Sequence, residues 1–342
     1  MSKTKWGLAV LCVAGWAGWM AAAPATPQYH LVKKVTLGGE GGWDYLSADP
    51  MTHRVFISRG THIMVVDAEG KVVGDIPNVD GTHGAALVPE LGRGFSSNGR
   101  SNSVTIFDLK TMATIKEVKL QADGPDGFLY DPATKRVFTF NARSKDASAI
   151  DASTGEVLGN VALGGKPEAA QSDGAGHVWV NIEDKAQLAE FDAKALKVLN
   201  TSPLPGCEEP TGMAIDVSRK RLFIGCHSKV MLVAGYDGKV VGSVPIGEGV
   251  DAANFDPATK LAFASCGDGT ITVAHEDTPG KFTVVQTIST QRGARTMTLD
   301  TKNHNIYTVT SDFNPPPAPT AENPRPRPVP IPSTFTLLIY GR

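Results

Sequence analysis

The chain has 342 residues, a formal net charge of −2 at pH 7, 20% charged residues and 41% hydrophobic residues. This composition is that of an ordinary globular protein. It lacks the basic excess that binding to nucleic acid or to an anionic membrane surface requires. We therefore expect no nucleic-acid partner and no stable membrane insertion of the folded chain.

The first 25 residues predict a cleaved secretory signal. Two lysines precede an apolar run over residues 6–20, and small residues follow it up to Ala25. A short basic region, an apolar run and a small-residue site are the pattern of a signal peptide. We expect cleavage near Ala25, a folded domain over residues 26–342 and a periplasmic or secreted location. An uncleaved anchor is the alternative.

A repeated phrase organises the rest of the chain. Each copy has an apolar stretch, a turn such as Asp-Pro-Ala-Thr-Lys-Arg, and a second apolar stretch. The spacings between copies are 39, 43, 42, 43, 40 and 44 residues, and all-strand repeats of about 40–45 residues predict propeller blades. The turns of the seven copies begin at Asp49, Val88, Asp131, Asp173, Asp216, Asp256 and Asp300.

The third repeat shows how one blade is built. Residues 127–130 predict an innermost strand, and the Asp-Pro turn that follows suits a type I turn. Residues 136–140, 147–151 and 156–163 predict the next three strands. Each repeat is therefore expected to form one four-stranded antiparallel sheet.

The two ends of the chain complement each other. The last repeat lacks an outer strand of its own, because the chain ends with residues 335–341, while residues 29–37 read as an outer strand with no repeat before it. Pairing these segments would protect both edges. The sequence thus predicts an all-β, seven-bladed β-propeller whose last blade is closed by the N-terminal strand.

Three cysteines remain after the signal segment, and an odd number in an oxidising compartment indicates one disulfide and one free thiol. Cys207 lies in the loop that enters the fifth repeat, and Cys226 ends the second strand of that repeat. We expect a disulfide between these two, with Cys226 to Cys266 as the alternative. Closing a loop of about 20 residues would stabilise the fold by roughly 3 kcal/mol in the chain-entropy model.

A proline-rich insertion interrupts the last repeat. Residues 314–332 hold nine prolines in 19 residues, which predicts an extended segment that is neither strand nor helix. The insertion falls between the second and third strands of the last blade. It is either a surface strap or a lid over the mouth of the central tunnel.

A polar residue stands five positions before the turn in every repeat. One fixed register in all seven blades would bring these side chains together around the axis. They are named the polar set here. The polar set consists of Asp44, His83, Asp126, Glu168, Thr211, Asp251 and Arg295.

The ends of the second strands carry a further pattern. Phe-Ser-Ser-Asn occupies 95–98, Phe-Thr-Phe-Asn 138–141, Val-Trp-Val-Asn 178–181 and Tyr-Thr-Val-Thr 307–310. With the Asp-Pro turns, this pattern resembles the YncE-like, YVTN-repeat family of secreted bacterial β-propellers over residues 29–342. The resemblance implies a seven-bladed fold outside the cytoplasm, and no single activity. Relatives include lactonase-like propellers, electron-transfer partners and proteins labelled DNA-binding, and an acidic tunnel mouth argues against the last label.

Four carboxylates in the polar set would repel one another unless a cation, a shared proton or Arg295 compensates them. A hard divalent ion such as Ca²⁺ takes six to eight oxygen ligands and fits such a site. The expected metal ligands are Asp44, Glu168 and Asp251. The alternative is structural, because polar side chains at this register can bond the backbone of the next repeat.

Further side chains could contact a ligand at the same mouth. Asn98, Asn141 and Asn181 end neighbouring second strands, where they could offer carbonyl oxygens or simply stabilise the loop starts. Trp43 could stack on a ligand or pack between blades. The expected ligand-binding residues are Trp43, Asn98, Asp126, Asn141, Asn181 and Thr211.

Two functions remain open from the sequence. The first is a binding or scaffold protein, expected to be a monomer, that presents an acidic mouth to a small molecule or a periplasmic protein. The alternative is a divalent-metal hydrolase of the lactonase type, with His83 as general base and Arg295 stabilising developing negative charge. The sequence holds no nucleophile elbow, phosphate loop, dinucleotide fingerprint or haem-attachment motif.

Overall fold

The computed structural model describes residues 28–320, residue 326 and residues 328–342. The expected signal segment, residues 1–25, lies outside the described residues. Within them, the fold is all-β, with strands in antiparallel sheets and two single-turn 3₁₀ helices, Pro89–Leu91 and Glu183–Lys185. No helix in the described part of the chain is long and apolar enough to cross a membrane.

The first seven strands after the N-terminal one form a single seven-stranded sheet. These strands are β2 (Leu46–Asp49), β3 (Arg54–Ser58), β4 (Gly60–Val66), β5 (Val72–Val88), β6 (Arg93–Asn98), β7 (Ser103–Asp108) and β8 (Thr114–Lys119). The long strand β5 joins two repeats, because its residues 72–77 pair with β4 and its residues 82–88 pair with β6. The sheet is thus two four-stranded units that share one continuous strand.

Four further sheets each contain four consecutive strands. The third and fourth repeats form β9 (Pro125–Asp131), β10 (Arg136–Asn141), β11 (Asp146–Asp151), β12 (Val157–Ala162), β13 (Pro167–Ser172), β14 (His177–Ile182), β15 (Gln187–Asp192) and β16 (Lys197–Pro203). The fifth and sixth form β17 (Pro210–Asp216), β18 (Arg221–Cys226), β19 (Val230–Gly235), β20 (Val240–Pro245), β21 (Val250–Asp256), β22 (Leu261–Cys266), β23 (Thr270–Thr278) and β24 (Lys281–Ser289).

The last four-stranded sheet contains both ends of the described chain. Its order is β1 (His30–Thr36), β29 (Thr336–Gly341), β26 (Ile306–Thr310) and β25 (Met297–Leu299). Strand β1 pairs antiparallel with β29, from His30 opposite Gly341 to Thr36 opposite Thr336. The N-terminal segment is therefore the outer strand of the C-terminal sheet, in the pairing that the incomplete last repeat predicts.

The ends of the proline-rich insertion differ from the expectation. Strands β27 (Phe313–Asn314) and β28 (Val329–Pro330) pair as a small antiparallel ribbon between β26 and β29. The prediction that residues 314–332 form no strand is therefore wrong at the two ends. A ribbon of two residues per strand tolerates proline because each strand is an edge, so the missing N–H need not face a partner.

The buried core lies in layers between neighbouring sheets. Phe138 of β10 and Phe191 of β15 meet edge to face, with ring centroids 5.3 Å apart. Residues of β3 and β4 share another cluster with Tyr307 and Leu337, so the first and last sheets also pack together. The first strands of successive repeats contact one another in chain order, and β25 contacts β2.

The repeated turn residues also connect neighbouring sheets. Asp131 accepts hydrogen bonds from the Thr134 backbone and hydroxyl within its own turn, which explains why Asp starts the turn. His53 Nδ1 donates to Asp300 Oδ2 at 2.6 Å, across the contact between the first and last sheets. His304 makes the equivalent bond to Asp256 at 2.7 Å. The turns therefore hold adjacent sheets together as well as reversing the chain.

A buried arginine shapes the loop that leads to the polar set. Arg59 is only 1% exposed and lies with its guanidinium 3.5 Å from the centre of the Phe335 ring. It donates hydrogen bonds to the carbonyls of Glu40 and Gly41. A Cβ on Gly41 would lie 2.2 Å from the Arg59 carbonyl oxygen, so only glycine fits there.

The predicted disulfide between Cys207 and Cys226 is present, and Cys266 is a buried free thiol. The bond connects the loop before β17 to the end of β18. It therefore anchors the segment that carries Thr211.

Candidate functional site

The polar set lies at the start of the first strands. Asp44 and Arg295 stand just before β2 and β25, and the other five lie within strands β5, β9, β13, β17 and β21. Their common register comes from the repeated distance to the turn. The structure brings six of them into a connected group of charges and leaves Thr211 in backbone contacts.

An imidazole bridges two carboxylates at the centre of this group. His83 Nδ1 lies 2.7 Å from Asp44 Oδ2 and 3.2 Å from Asp126 Oδ1. These three side chains are half-buried and are the described residues whose ligand atoms lie close enough together, within 4.8 Å, to hold one metal ion. The same geometry suits a protonated imidazole placed between two negative charges.

The surroundings decide which form His83 takes. Burial lowers its pKa, but the hydrogen bond to Asp44 and the charges of Asp126, Asp44 and Glu168 outweigh burial and raise the pKa to about 9. His83 is therefore an imidazolium at neutral pH. It supplies within the protein the positive charge that a bound cation would otherwise supply.

Asp126 and Glu168 both hold their protons more tightly than an ordinary carboxyl does. Burial raises the pKa of Asp126 to about 6, although the His83 charge opposes the shift. Burial and the Asp126 charge raise the pKa of Glu168 to about 8, against the opposing charge of Lys166. At neutral pH Glu168 is thus mainly a neutral carboxylic acid that can donate a hydrogen bond, whereas Asp126 is mainly an acceptor.

Glu168 has two neighbours that the repeat pattern did not select. Tyr45 donates a hydrogen bond to Glu168 at 3.1 Å, and its own pKa is raised well above the usual range by burial and by the Glu168 charge. Lys166 Nζ lies 3.6 Å from Glu168 and also forms an ion pair with Glu183. A positive charge therefore faces this carboxyl, as His83 faces Asp44.

Asp251 and Arg295 form the third charge pair. Arg295 Nη1 lies 3.5 Å from Asp251 Oδ2, and that buried oxygen has no hydrogen-bond partner. Burial raises the pKa of Asp251, while the charge of Arg295 acts in the opposite direction. The pair is thus held by charge and leaves hydrogen-bonding capacity on both side chains.

The remaining predicted ligand residues make bonds within the protein. Thr211 is buried, and its hydroxyl donates to the Val250 carbonyl of the next repeat at 3.0 Å. The amides of Asn98 and Asn141 donate to hydroxyls of their own sheets. Asn181 donates to the Thr211 carbonyl at 2.8 Å. The structure does not bring these three asparagines into the charged group; all three are fully buried.

A cavity of about 140 Å³ adjoins the polar set. Its wall includes five residues that each follow a member of the set by one position, namely Tyr45, Gly127, Ala169, Gly212 and Ala252. Asp251, Gln171 and Asn254 add polar groups to the wall. Of the polar set, Asp251 itself lines this small space, and four other members adjoin it through the residue that follows them in the chain.

Tyr45 stands out at this register. Where it lies, the next two repeats carry Gly84 and Gly127, and a Cβ on Gly84 would be 2.3 Å from the Phe128 ring. Small residues thus permit close packing, while Tyr45 fills space and reaches Glu168. In the sequence, Tyr45 is the aromatic residue at a position where the other six repeats carry a smaller residue. The pairing of Lys166 with Glu183 had no repeat signal.

The metal set expected from the sequence was Asp44, Glu168 and Asp251. In the described residues, the group with metal-binding spacing is instead Asp44, His83 and Asp126. The two sets share only Asp44. The observed set mixes one nitrogen with carboxylate oxygens, and its imidazole must lose a proton before it can bind a metal.

Trp43 precedes Asp44 in the chain and does not line the cavity of about 140 Å³. Its ring packs on Phe335 at 5.3 Å and on Phe313 at 6.1 Å between centroids. A separate pocket of about 420 Å³ lies beside it, lined also by Arg292, Arg295 and the ribbon of the insertion. Trp43 thus combines a packing contact with a position on a pocket wall.

No protein-family model matches the chain. The chain is 25% identical over 193 residues to the uncharacterized protein YncE of Salmonella typhi, and by the same measure to YncE of Salmonella typhimurium. Each match covers 54% of this chain and 54% of the relative, so the chain spans about half the length of the curated relatives that it matches. This similarity supports a YncE-like relationship over that half.

Proposed function

We propose that the protein is a seven-bladed β-propeller that binds a small polar ligand at the polar set. The cyclic contacts between first strands support seven blades around an axis, and the pairing of β1 with β29 supports closure by the N-terminal strand. The shared strand β5 then belongs to two adjacent blades. A periplasmic or secreted location fits the disulfide.

The observation that carries the binding function is the internal compensation of charge. His83 lies between Asp44 and Asp126, and Arg295 faces Asp251. Glu168 is mainly protonated, and Lys166 beside it forms an ion pair with Glu183. Such a group needs no external cation for charge balance. It offers both donors and acceptors beside a cavity of about 140 Å³.

The ligand that fits this chemistry is neutral and rich in hydroxyl or amide groups. The neutral Glu168 carboxyl and the imidazolium donate, while Asp126 and Asp44 accept. A charged ligand would gain little binding energy, because each charged side chain of the site already faces one of opposite charge. The cavity admits a small substituent, so the body of the ligand would lie at the mouth.

The test is a thermal-shift and calorimetric panel of sugars, polyols, amino acids and lactones with purified residues 26–342. We expect at least one neutral polar compound to bind wild-type protein, and Glu168→Gln together with Asp126→Asn to weaken it by about tenfold or more. Lys302→Ala, in an exposed turn, is the matched control. Binding that survives the double substitution would contradict the proposal.

A metal-dependent hydrolase of the lactonase type is the second candidate. One observation favours it, since Asp44, His83 and Asp126 have ligand atoms within 4.8 Å of one another. Metal analysis of protein purified without chelator, followed by titration with Ca²⁺, Mn²⁺ and Zn²⁺, separates the candidates. A near-stoichiometric ion lost in Asp126→Asn would support the hydrolase, whereas no ion and no thermal shift would leave the binding function.

A further inference from the structure

We propose a second binding site, for an aromatic carboxylate, in the pocket of about 420 Å³ between the polar set and the proline-rich insertion. It is called the insertion pocket. Its walls are formed by Trp43, Phe313, Pro328 and Pro330, and two guanidinium groups, Arg292 and Arg295, complete the lining. All of these are described residues, and the site goes beyond the ligand proposed for the polar set.

Backbone pairing within the insertion holds one wall of this pocket in place. The ribbon of β27 and β28 places Phe313 opposite Pro330, and the Ile331 amide donates to the Asp312 carbonyl at 2.7 Å. Gly293 has a positive φ of 82°, and a Cβ there would lie 2.7 Å from the Phe313 ring. Glycine at 293 therefore permits the aromatic ring to cover the pocket wall.

The apolar walls define one part of the ligand. Trp43 and Phe313 lie with ring centroids 6.1 Å apart at an interplanar angle of 53°, and the proline rings extend the same surface. Aromatic and proline rings favour a planar, apolar group because such a group gains contact area with little loss of rotational freedom. The volume lies within the range of small-molecule pockets.

The charges define the other part. Arg292 is exposed and has no carboxylate within ion-pair distance among the described residues, and Arg295 is 3.5 Å from Asp251 without forming a hydrogen bond to its nearest oxygen. The nearby Asp312 accepts a hydrogen bond from Gln291 at 2.9 Å and does not line the pocket. Two guanidinium groups with free donors favour a carboxylate, which they can bind through paired hydrogen bonds.

The experiment compares 1-naphthoate with uncharged 1-naphthamide by isothermal titration calorimetry on residues 26–342. We expect naphthoate to bind at least about tenfold more tightly, and Arg292→Ala to remove that difference, since each charge-assisted bond is worth about one such factor. Because Arg292 is exposed, its substitution leaves the fold intact. Melting curves of the variant verify this.

Lys302→Ala is the matched control, because it removes one positive charge at the turn between β25 and β26, at the opposite end of that sheet from Arg292. It should leave naphthoate binding unchanged. Equal affinities for the two compounds, absence of saturable naphthoate binding at millimolar concentration, or an Arg292→Ala variant that binds as wild type would each overturn the proposal. A Lys302→Ala variant that loses as much affinity as Arg292→Ala would also overturn it, since the effect would then follow net charge.

Discussion

At the residue scale, His83 is the side chain on which the candidate site depends. Its Nδ1 atom lies within 3.2 Å of two carboxylates from different repeats, Asp44 and Asp126. Without the imidazole, these two carboxylates would face each other. A charge pair that is half-exposed contributes modestly, but removing one partner leaves the others uncompensated. The imidazolium therefore has a structural role even if its chemistry serves a ligand.

Replacing His83 with Gln should lower the free energy of unfolding by about 1 kcal/mol or more, because Asp44 and Asp126 lose their shared positive charge. Urea denaturation at neutral pH measures the change. Adding Asp126→Asn to the first substitution should recover part of the loss, since one of the two repelling carboxylates is then neutral. A His83→Gln variant as stable as wild type would contradict the charge-bridging role.

The sequence predicted which positions form the site better than it predicted their partners. The register selected Asp44, His83 and Asp126 correctly as neighbours, because a fixed distance to a turn places side chains at equal heights. The pattern at the ends of the second strands selected Asn181, which in the structure bonds the backbone of the next repeat. Spacing along the chain cannot distinguish a side chain aimed at solvent from one aimed at a neighbouring strand.

At the element scale, the contacts of the repeated turn explain why the sequence predicts where the strands end. The aspartate that starts six of the seven turns satisfies local backbone donors, as Asp131 does. In the first three repeats the arginine at the start of the second strand bonds carbonyls of the next repeat, as Arg136 does with Ala193 and Lys194. Contacts that recur from repeat to repeat leave a periodic signal in the sequence. The β27–β28 ribbon occurs once and left no periodic signal.

Strand β1 has a different origin from the other outer strands, because a whole chain length separates it from its partner β29. If it closes the ring, the amides of His30–Thr36 should resist hydrogen exchange as well as those of the outer strand β8, Thr114–Lys119. Native-state exchange followed by mass spectrometry measures both segments in one sample. Fast exchange confined to the β1 peptide would contradict closure by the N-terminal strand.

At the scale of the whole molecule, the all-β architecture followed from the repeat length, and the cyclic order of contacts adds the arrangement that a repeat alone does not specify. A period of about 40–45 residues implies four strands per unit. The balance of charge at the polar set depends instead on side chains such as Lys166 and Glu183, which meet only after folding. The sequence therefore predicted an acidic mouth, whereas in the structure Asp44, Asp126 and Asp251 face cationic side chains and Glu168 is mainly protonated.

This balance has a consequence for the stability of the entire fold. Asp126, Glu168 and His83 all have folded-state pKa values above their ordinary values, at about 6, 8 and 9. Between roughly pH 4 and pH 9 the folded state thus binds more protons than the unfolded state at these groups. Their contribution to stability is fully present below the unfolded pKa values and is lost as pH rises through the folded ones.

Turn carboxylates act in a separate, more acidic window. Backbone hydrogen bonds from Thr111 and Thr154 lower the pKa values of Asp108 and Asp151, so their contribution is lost as pH falls below the ordinary carboxyl range. The two effects together predict a stability maximum on the acid side of neutrality, at about pH 4 to 5. Urea midpoints should therefore fall from about pH 5 to about pH 9, with the steepest loss where Glu168 and His83 release protons.

Glu168→Gln tests the assignment, because an amide cannot take up the proton that Glu168 holds. The variant should lose much of the slope between about pH 5 and pH 8 and keep the loss through about pH 9 that belongs to His83. The His83→Gln variant should lose the decrease through about pH 9 and keep much of the slope between about pH 5 and pH 8. If the wild-type midpoint is flat or rises from pH 5 to pH 9, the raised pKa values, and with them the protonated donors that the proposed binding site requires, are wrong.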